Sequence, residues 1–196
     1  MSIRKLNIKI YADGADFKSI KKLANNDLIS GFTTNPTLMR KSGVTDYKKF
    51  ALNVLKVVEK KNISFEIFAD EFDQMYNQAI TISKWSENVN VKIPITNTKG
   101  QSSIDLIRDL SKLGVKLNIT AVFTMKQIED LSDALNLNTY SIVSVFAGRI
   151  ADTGVDPIPM MKQAKSILNK SNIDLLWASP REILNIFQAE ECGTDI

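Results

Sequence analysis

A lysine interrupts an otherwise apolar run, Val89-Asn90-Val91-Lys92-Ile93-Pro94-Ile95-Thr96, and that placement constrains the fold more than any other feature of the chain. Side chains alternate between the two faces of a strand, so Val89, Val91, Ile93 and Ile95 share one face while Asn90, Lys92 and Thr96 share the other. The split recurs. Phe65 and Ile67 oppose Ser64 and Glu66, Leu117 and Ile119 oppose Asn118 and Thr120, and Ile8, Ile10 and Ala12 oppose Tyr11 and Asp13. One face is suited to packing on helices, and the other carries polar and ionisable groups in strand after strand.

Strands are predicted at Ile8–Ala12, Gly31–Thr34, Ser64–Phe68, Val89–Ile95, Lys116–Thr120, Tyr140–Phe146 and Leu175–Ala178, with an eighth starting at Cys192–Ile196. Helical stripes lie between them, such as Tyr47, Phe50, Ala51, Val54, Leu55 and Val58, or Ile104, Ile107 and Leu110. Asp16, Thr45 and Thr124 suit helix N-caps, and Gly114 and Gly193 suit helix ends. No linker or composition break divides the alternation, which predicts one α/β domain over residues 1–196. A polar inner face in successive strands predicts a closed (β/α)8 TIM barrel. The competing fold is an open doubly wound sheet, whose central strands are apolar on both faces and whose first strand feeds a glycine-rich phosphate loop; no such loop follows here.

Composition narrows the chemistry. The chain has 196 residues, 44% of them apolar, enough for a buried core. Its lone Cys192 cannot form an internal disulfide, which predicts a cytoplasmic location. No apolar run approaches the roughly 20 residues of a membrane helix, and the start MSIRKLNIKIYAD lacks the apolar core of a leader, so the N-terminus reads as mature protein. The net charge of +3 is spread over interspersed acids and bases, which predicts neither nucleic acid nor membrane as partner. Lys48-Lys49 and Lys60-Lys61 read as solvated helix faces. There is no histidine, so the commonest general base and metal ligand are both missing. One cysteine makes a poor zinc site, and acid–base work falls to Asp, Glu, Lys or Tyr.

Lys92 is the first candidate for chemistry. Burial disfavours the ammonium and predicts a neutral amine able to attack a ketone. The alternative is a lysine that reaches out at the strand end or pairs with a carboxylate. Asp13 and Glu66 lie on the polar parity of other strands, where they can move the protons that imine and aldol chemistry require; a turn-forming Asp and a salt-bridging Glu are the plainer readings. Thr33-Thr34-Asn35-Pro36 places hydroxyl and amide groups where a barrel strand ends, the rim at which barrel sites form, although a strand end plus turn would look the same. Arg149 and Arg181 follow two late strands, with Ser179 beside the second. They suit a phosphate clamp, or singly a surface salt bridge.

These residues sit in segments, GFTTNPTL, NVKIPIT, LNITAVFT, SVFAGRIADTG and LLWASPRE, that resemble successive motifs of the transaldolases, in particular the short subfamily related to fructose-6-phosphate aldolases. The resemblance spans residues 8–196, and the motifs occur in family order. It implies a (β/α)8 barrel with class I aldolase chemistry and no metal or organic cofactor. Lys92 then matches the Schiff-base lysine, Asp13 the acid–base aspartate of carbon–carbon cleavage, Glu66 the glutamate that activates the catalytic water, and Thr120 the threonine that orients it. Asn35 and Asn118 match the amides that bind substrate hydroxyls, and Thr33 and Ser144 line the site. Arg149, Ser179 and Arg181 match the phosphate-binding group.

Two positions separate the branches of the family. The aldolases resemble this chain but carry Gln at the Glu66 position and Tyr at the Phe146 position. A tyrosine there can position water to protonate the carbanion, whereas Phe146 leaves the enamine to wait for an aldose. The resemblance therefore implies a transaldolase of the pentose phosphate pathway, moving a dihydroxyacetone unit from sedoheptulose 7-phosphate or fructose 6-phosphate to glyceraldehyde 3-phosphate or erythrose 4-phosphate. A fructose-6-phosphate aldolase is the second reading, and a non-catalytic sugar-phosphate binder the third.

The chain departs from the family at Gly14, where Ser or Thr is usual, and at Pro180, where an aromatic is usual. Family members also continue past Ile196, so the eighth strand and last helix are expected to be incomplete here. Uncovered apolar surface at such an end predicts a homo-oligomer, with the ring-based decamer of the short subfamily as its candidate form.

Overall fold

The computed structural model describes residues 6–196; the first five residues, part of the leader reading, lie outside them. Two compact units are described, one over Lys9–Lys92 and the other over Ile93–Ile196 together with the segment ending at Ile8.

The Lys9–Lys92 unit alternates strand and helix: β1 (Ile10–Asp13), α1 (Phe17–Ala24), β2 (Ile29–Thr33), α2 (Pro36–Lys41), α3 (Tyr47–Leu55), β3 (Asn62–Glu66), α4 (Phe72–Ser83) and β4 (Val89–Pro94), whose last residues pass into the second unit. The strands pair in parallel and in chain order, with Asp13 opposite Thr33, Thr33 opposite Ser64, Ser64 opposite Asn90 and Glu66 opposite Lys92. The predicted parity holds. Ile63, Phe65 and Val91 are fully buried on one face, each such side chain stabilising the fold by about 1.5–3 kcal/mol. On the other face Gly31 leaves space that the Tyr11 ring fills: a Cβ at Gly31 would lie 2.4 Å from that ring. The Tyr11 hydroxyl lies 3.5 Å from Asn62 Nδ2 on β3.

The second unit continues with α5 (Ile104–Lys112), β5 (Leu117–Val122), α6 (Met125–Ala134), β6 (Ser141–Val145), α7 (Ala147–Asp152), α8 (Ile158–Leu168), β7 (Ile173–Trp177) and α9 (Leu184–Glu191). Strands β5, β6 and β7 are again parallel and in chain order. Neither unit contains the reversal of strand order that marks a doubly wound sheet. The fold is that of a (β/α)8 TIM barrel, with seven strands among the described residues and an eighth only begun.

The eighth strand was expected from Cys192, but Cys192 instead caps α9, and Gly193 turns the chain with a φ of +73°. Strand-like bonding starts later: Ile196 N donates to Leu175 O, and Trp177 N to Ile196 O. The other end of the unit is tied to the same helix, with Ile8 N donating to Glu190 Oε2 at 2.8 Å.

Helix starts follow their caps. Asp16 accepts from Ser19 N, and Thr124 forms a reciprocal box with Gln127. Two expectations need correction. The cap of α3 is Asp46 rather than Thr45, because the carboxylate of Asp46 reaches Lys49 N. Lys60 and Lys61 lie on the stretch leading into β3 rather than on a helix, and Lys61 Nζ donates to Asn26 O.

Candidate active site

The predicted site residues fall into two groups, one in each unit. In the Lys9–Lys92 unit, β3 and β4 in register bring Glu66 beside Lys92, with Oε2 3.1 Å from Nζ and side-chain exposures of 17% and 11%. An ion pair so little exposed is screened far less than a surface pair. Lys92 Nζ also donates to Thr34 O at 3.2 Å, which turns the side chain toward the end of β2. At that end Thr33 Oγ1 donates to Asp13 Oδ1 at 2.9 Å, and Asn35 Nδ2 to Asp13 Oδ2 at 3.3 Å. Asn35 has a second task, since its Oδ1 caps α2 by accepting from Leu38 N. The capping bond fixes the amide so that its NH2 group faces Asp13. This unit therefore holds an amine beside one carboxylate, and a second carboxylate clasped by a hydroxyl and an amide.

In the second unit, Ser144 Oγ donates to Asn118 Oδ1 at 2.7 Å, and both residues are buried. Thr120 is buried too, and its hydroxyl has no hydrogen-bond partner among the described residues. The next residue, Ala121, has a φ of +58° at a register shift between Ile119 and Val122. Such an irregularity re-aims the side chains beside it, and an alanine rarely adopts this conformation without tertiary support. Phe146 stands at the head of α7, edge-on to Phe123 with ring centroids 5.3 Å apart.

The arginines follow from a close approach of two chain segments. Gly148 N donates to Ala178 O, and a Cβ at Gly148 would come within 1.6 Å of Ser179 O. Ser179 itself has a φ of +60°. Arg149 is exposed on α7, whereas Arg181 is bound through Nε and Nη2 to both oxygens of Asp152, at the end of α7. The hydrogen bond from Arg181 holds the Asp152 carboxyl below its ordinary range, with a smaller contribution from the charge of Arg149.

Several residues in these groups escaped the reading of the chain. Tyr47 was assigned only to an apolar stripe, yet its hydroxyl donates to Glu66 O at 2.8 Å. Burial, and then the Glu66 charge, push its phenol well above the usual value. Asp152 carried no signal beyond lying on α7 three residues after Arg149. Asn90 was noted on the polar parity, without a role. Among the described residues no cluster of three or more Cys, Asp or Glu is disposed to hold a metal ion, and no helix is long and apolar enough to cross a membrane.

Residues 10–196 match the family described as "Transaldolase/Fructose-6-phosphate aldolase". A "Probable transaldolase" of Dehalococcoides mccartyi is 35% identical over 191 residues, covering 96% of this chain and 85% of the relative. A "Probable transaldolase" of Carboxydothermus hydrogenoformans is 34% identical with the same coverage, and a "Probable transaldolase 2" of Listeria monocytogenes is 31% identical, covering 83% of the relative. Among solved structures, a dihydrodipicolinate synthase from Rhodopseudomonas palustris has a TM-score of 0.51 at 12% identity, covering the whole of this chain and 70% of the other. That likeness speaks to the fold alone.

Proposed function

The chain belongs to the transaldolase/fructose-6-phosphate aldolase family, and on that premise we propose that it is a transaldolase carrying a dihydroxyacetone unit between sugar phosphates through an imine on Lys92. The observation that carries this reading is the half-buried Lys92 amine, held between Glu66 Oε2 and Thr34 O on the polar face of β4.

In the proposed cycle the amine attacks the C2 carbonyl of a ketose phosphate, the N–C bond forms, and the carbonyl oxygen leaves as water. As the C3–C4 bond breaks, Asp13 takes the proton of the C4 hydroxyl and the bonding electrons flow into the iminium to give an enamine. The aldose phosphate departs. C3 of the enamine then attacks the carbonyl carbon of a new aldose, whose oxygen takes the proton back from Asp13. Water activated by Glu66 and oriented by Thr120 adds to the iminium, and the ketose product leaves the regenerated amine. The buried Thr120 hydroxyl, without a partner among the described residues, supports its assignment to a water.

Asn35 and Asn118 are assigned to substrate hydroxyls, Thr33 and Ser144 to the lining of the site, and Arg149, Ser179 and Arg181 to phosphate. Glu66 and Phe146 favour transfer over release of free dihydroxyacetone. The donors are sedoheptulose 7-phosphate and fructose 6-phosphate and the acceptors glyceraldehyde 3-phosphate and erythrose 4-phosphate, in a cytoplasmic pentose phosphate pathway, and the working form is a homo-oligomer.

Borohydride reduction in the presence of fructose 6-phosphate tests the central step. Mass spectrometry should locate one reduced adduct on Lys92, absent in Lys92→Ala. Binding without any adduct would make the protein a sugar-phosphate binder instead.

A further inference from the structure

One polar row runs across the Lys9–Lys92 unit one step deeper than the Lys92–Glu66 pair. Asp13, Thr33, Ser64 and Asn90 face one another in register on β1 to β4, while Glu66 and Lys92 occupy the next position up β3 and β4. Barrel interiors at this depth are ordinarily packed with branched apolar side chains. Here the row ends in Asn90, which is fully buried, and neither its Oδ1 nor its Nδ2 has a hydrogen-bond partner among the described residues. Buried polar groups in native proteins are almost always paired, because an unpaired donor or acceptor has lost its water and gained nothing.

The amide defines what can pair with it. Oδ1 needs a donor and Nδ2 needs acceptors. A carboxylate or phosphate satisfies only the NH2 group, and a metal cation or ammonium satisfies only the oxygen. Water does both, and buried waters are held by convergent polar groups of this kind. Lys92 lies two residues further along the same face of β4. Its ammonium has three N–H donors; Glu66 Oε2 and Thr34 O take two, and no described residue takes the third. Residues two apart on one strand face stand about 6.6 Å apart, a gap that one water can span.

We propose that Asn90 is a positioning residue that holds a buried water beneath Lys92, and that this water makes the third hydrogen bond to Nζ. Its assigned role rests on the imine reading above. An amphiprotic partner suits a group that changes charge in every cycle. Water accepts from the ammonium, and after the proton has left it can turn and donate to the amine. Lys92 thus stays aligned with Glu66 and Thr34 through both states, and no rearrangement of the strand is needed. Glu66 on β3 and Asp13 and Tyr11 on β1 are ionisable groups of the same inner face, and Asn90, being neutral, supports the amine without adding to their charge.

The test has two arms. A crystal structure of the wild-type protein, at a resolution that orders buried waters, should show density within hydrogen-bond distance of both amide atoms of Asn90. Asn90→Val and Asn90→Thr, which share a shape and differ in one hydroxyl, should then separate in the rate of borohydride-trapped adduct formation with fructose 6-phosphate. Val should be slower by about tenfold, and Thr should stay within about threefold of the wild type, as expected for one hydrogen bond, with equal melting temperatures. An unoccupied Asn90 in a map that shows other buried waters would overturn the site, and equal rates for Val and Thr would overturn its role. If the wild type itself yields no adduct on Lys92, the imine reading fails and the role falls with it, while the density still decides whether Asn90 holds water.

Discussion

Replacing Gly148 by alanine is a sharp perturbation, because the added methyl group has a known obstacle. The new Cβ would stand 1.6 Å from Ser179 O and 2.6 Å from Ser179 C, where ordinary contact starts at about 3.4 Å. Both obstructing atoms are main chain, so no side-chain rotation relieves the clash, and either α7 or the segment after β7 must withdraw. That motion breaks the bond from Gly148 N to Ala178 O and changes the spacing between Arg149 and Arg181. Overpacking of this kind destabilises by about 1–3 kcal/mol, which for a chain of this size lowers the melting temperature by about 2–12 °C. The kinetic effect should be larger, since a displacement of about 1 Å in a positioning group can reduce turnover about a hundredfold. Thermal melts, together with kcat/KM for glyceraldehyde 3-phosphate and for unphosphorylated glyceraldehyde, read both effects. We expect kcat/KM to fall mainly for the phosphorylated acceptor. A variant that melts within a degree of the wild type and handles both acceptors unchanged would refute both the rigidity ascribed to this contact and the phosphate assignment built on it.

Three further outcomes follow. Arg181→Ala should raise KM for phosphorylated acceptors about 10- to 150-fold, the loss of a charge-assisted contact worth about 1.5–3 kcal/mol, and leave unphosphorylated aldoses nearly unaffected; equal losses would indicate structural damage. Glu66→Gln combined with Phe146→Tyr should shift products toward free dihydroxyacetone, measured as the transfer-to-cleavage ratio, and an unchanged ratio would show that branch identity lies in other residues. Tyr47 has a phenol pKa raised by burial above its ordinary value of 10.0, so the folded state keeps a proton that the unfolded state releases. Its contribution is therefore complete below about pH 10 and declines as pH rises beyond it, and Tyr47→Phe should flatten the alkaline limb of a stability–pH curve measured by denaturant melts.

How far the chain could be read depended on the range of the interaction. Strand parity is local, and Asn90, Lys92, Ser64, Glu66, Tyr11 and Asp13 all fall on the face the alternation assigned them. Register then does the rest for Lys92 and Glu66, since parallel strands in step place them side by side. Features that depend on contacts through space were not legible. Asp46 takes the cap of α3 although Thr45 is equally suited by type, because only its side chain reaches Lys49 N. Tyr47 looked like core, and the Glu66 carbonyl that accepts its hydroxyl lies 19 residues away. The Arg181–Asp152 pair spans 29 residues, and the left-handed Ala121 and Ser179 belong to types that give no warning of such a backbone. The eighth strand was placed too early because Cys192-Gly193 resembles a strand start as much as a helix end.

The packing of Tyr11 over Gly31 also bears on the order in which these two positions can change during descent. A side chain at position 31 would drive the tyrosine ring off the interior face, so a lineage that gains one there must first, or at the same step, accept a smaller residue at position 11. The reverse order is open, because shrinking Tyr11 leaves Gly31 unhindered and only adds space. Substitutions at the pair should therefore be asymmetric among related barrels: chains with a small residue at 11 and glycine at 31 should occur, and chains with tyrosine at 11 and a larger residue at 31 should not.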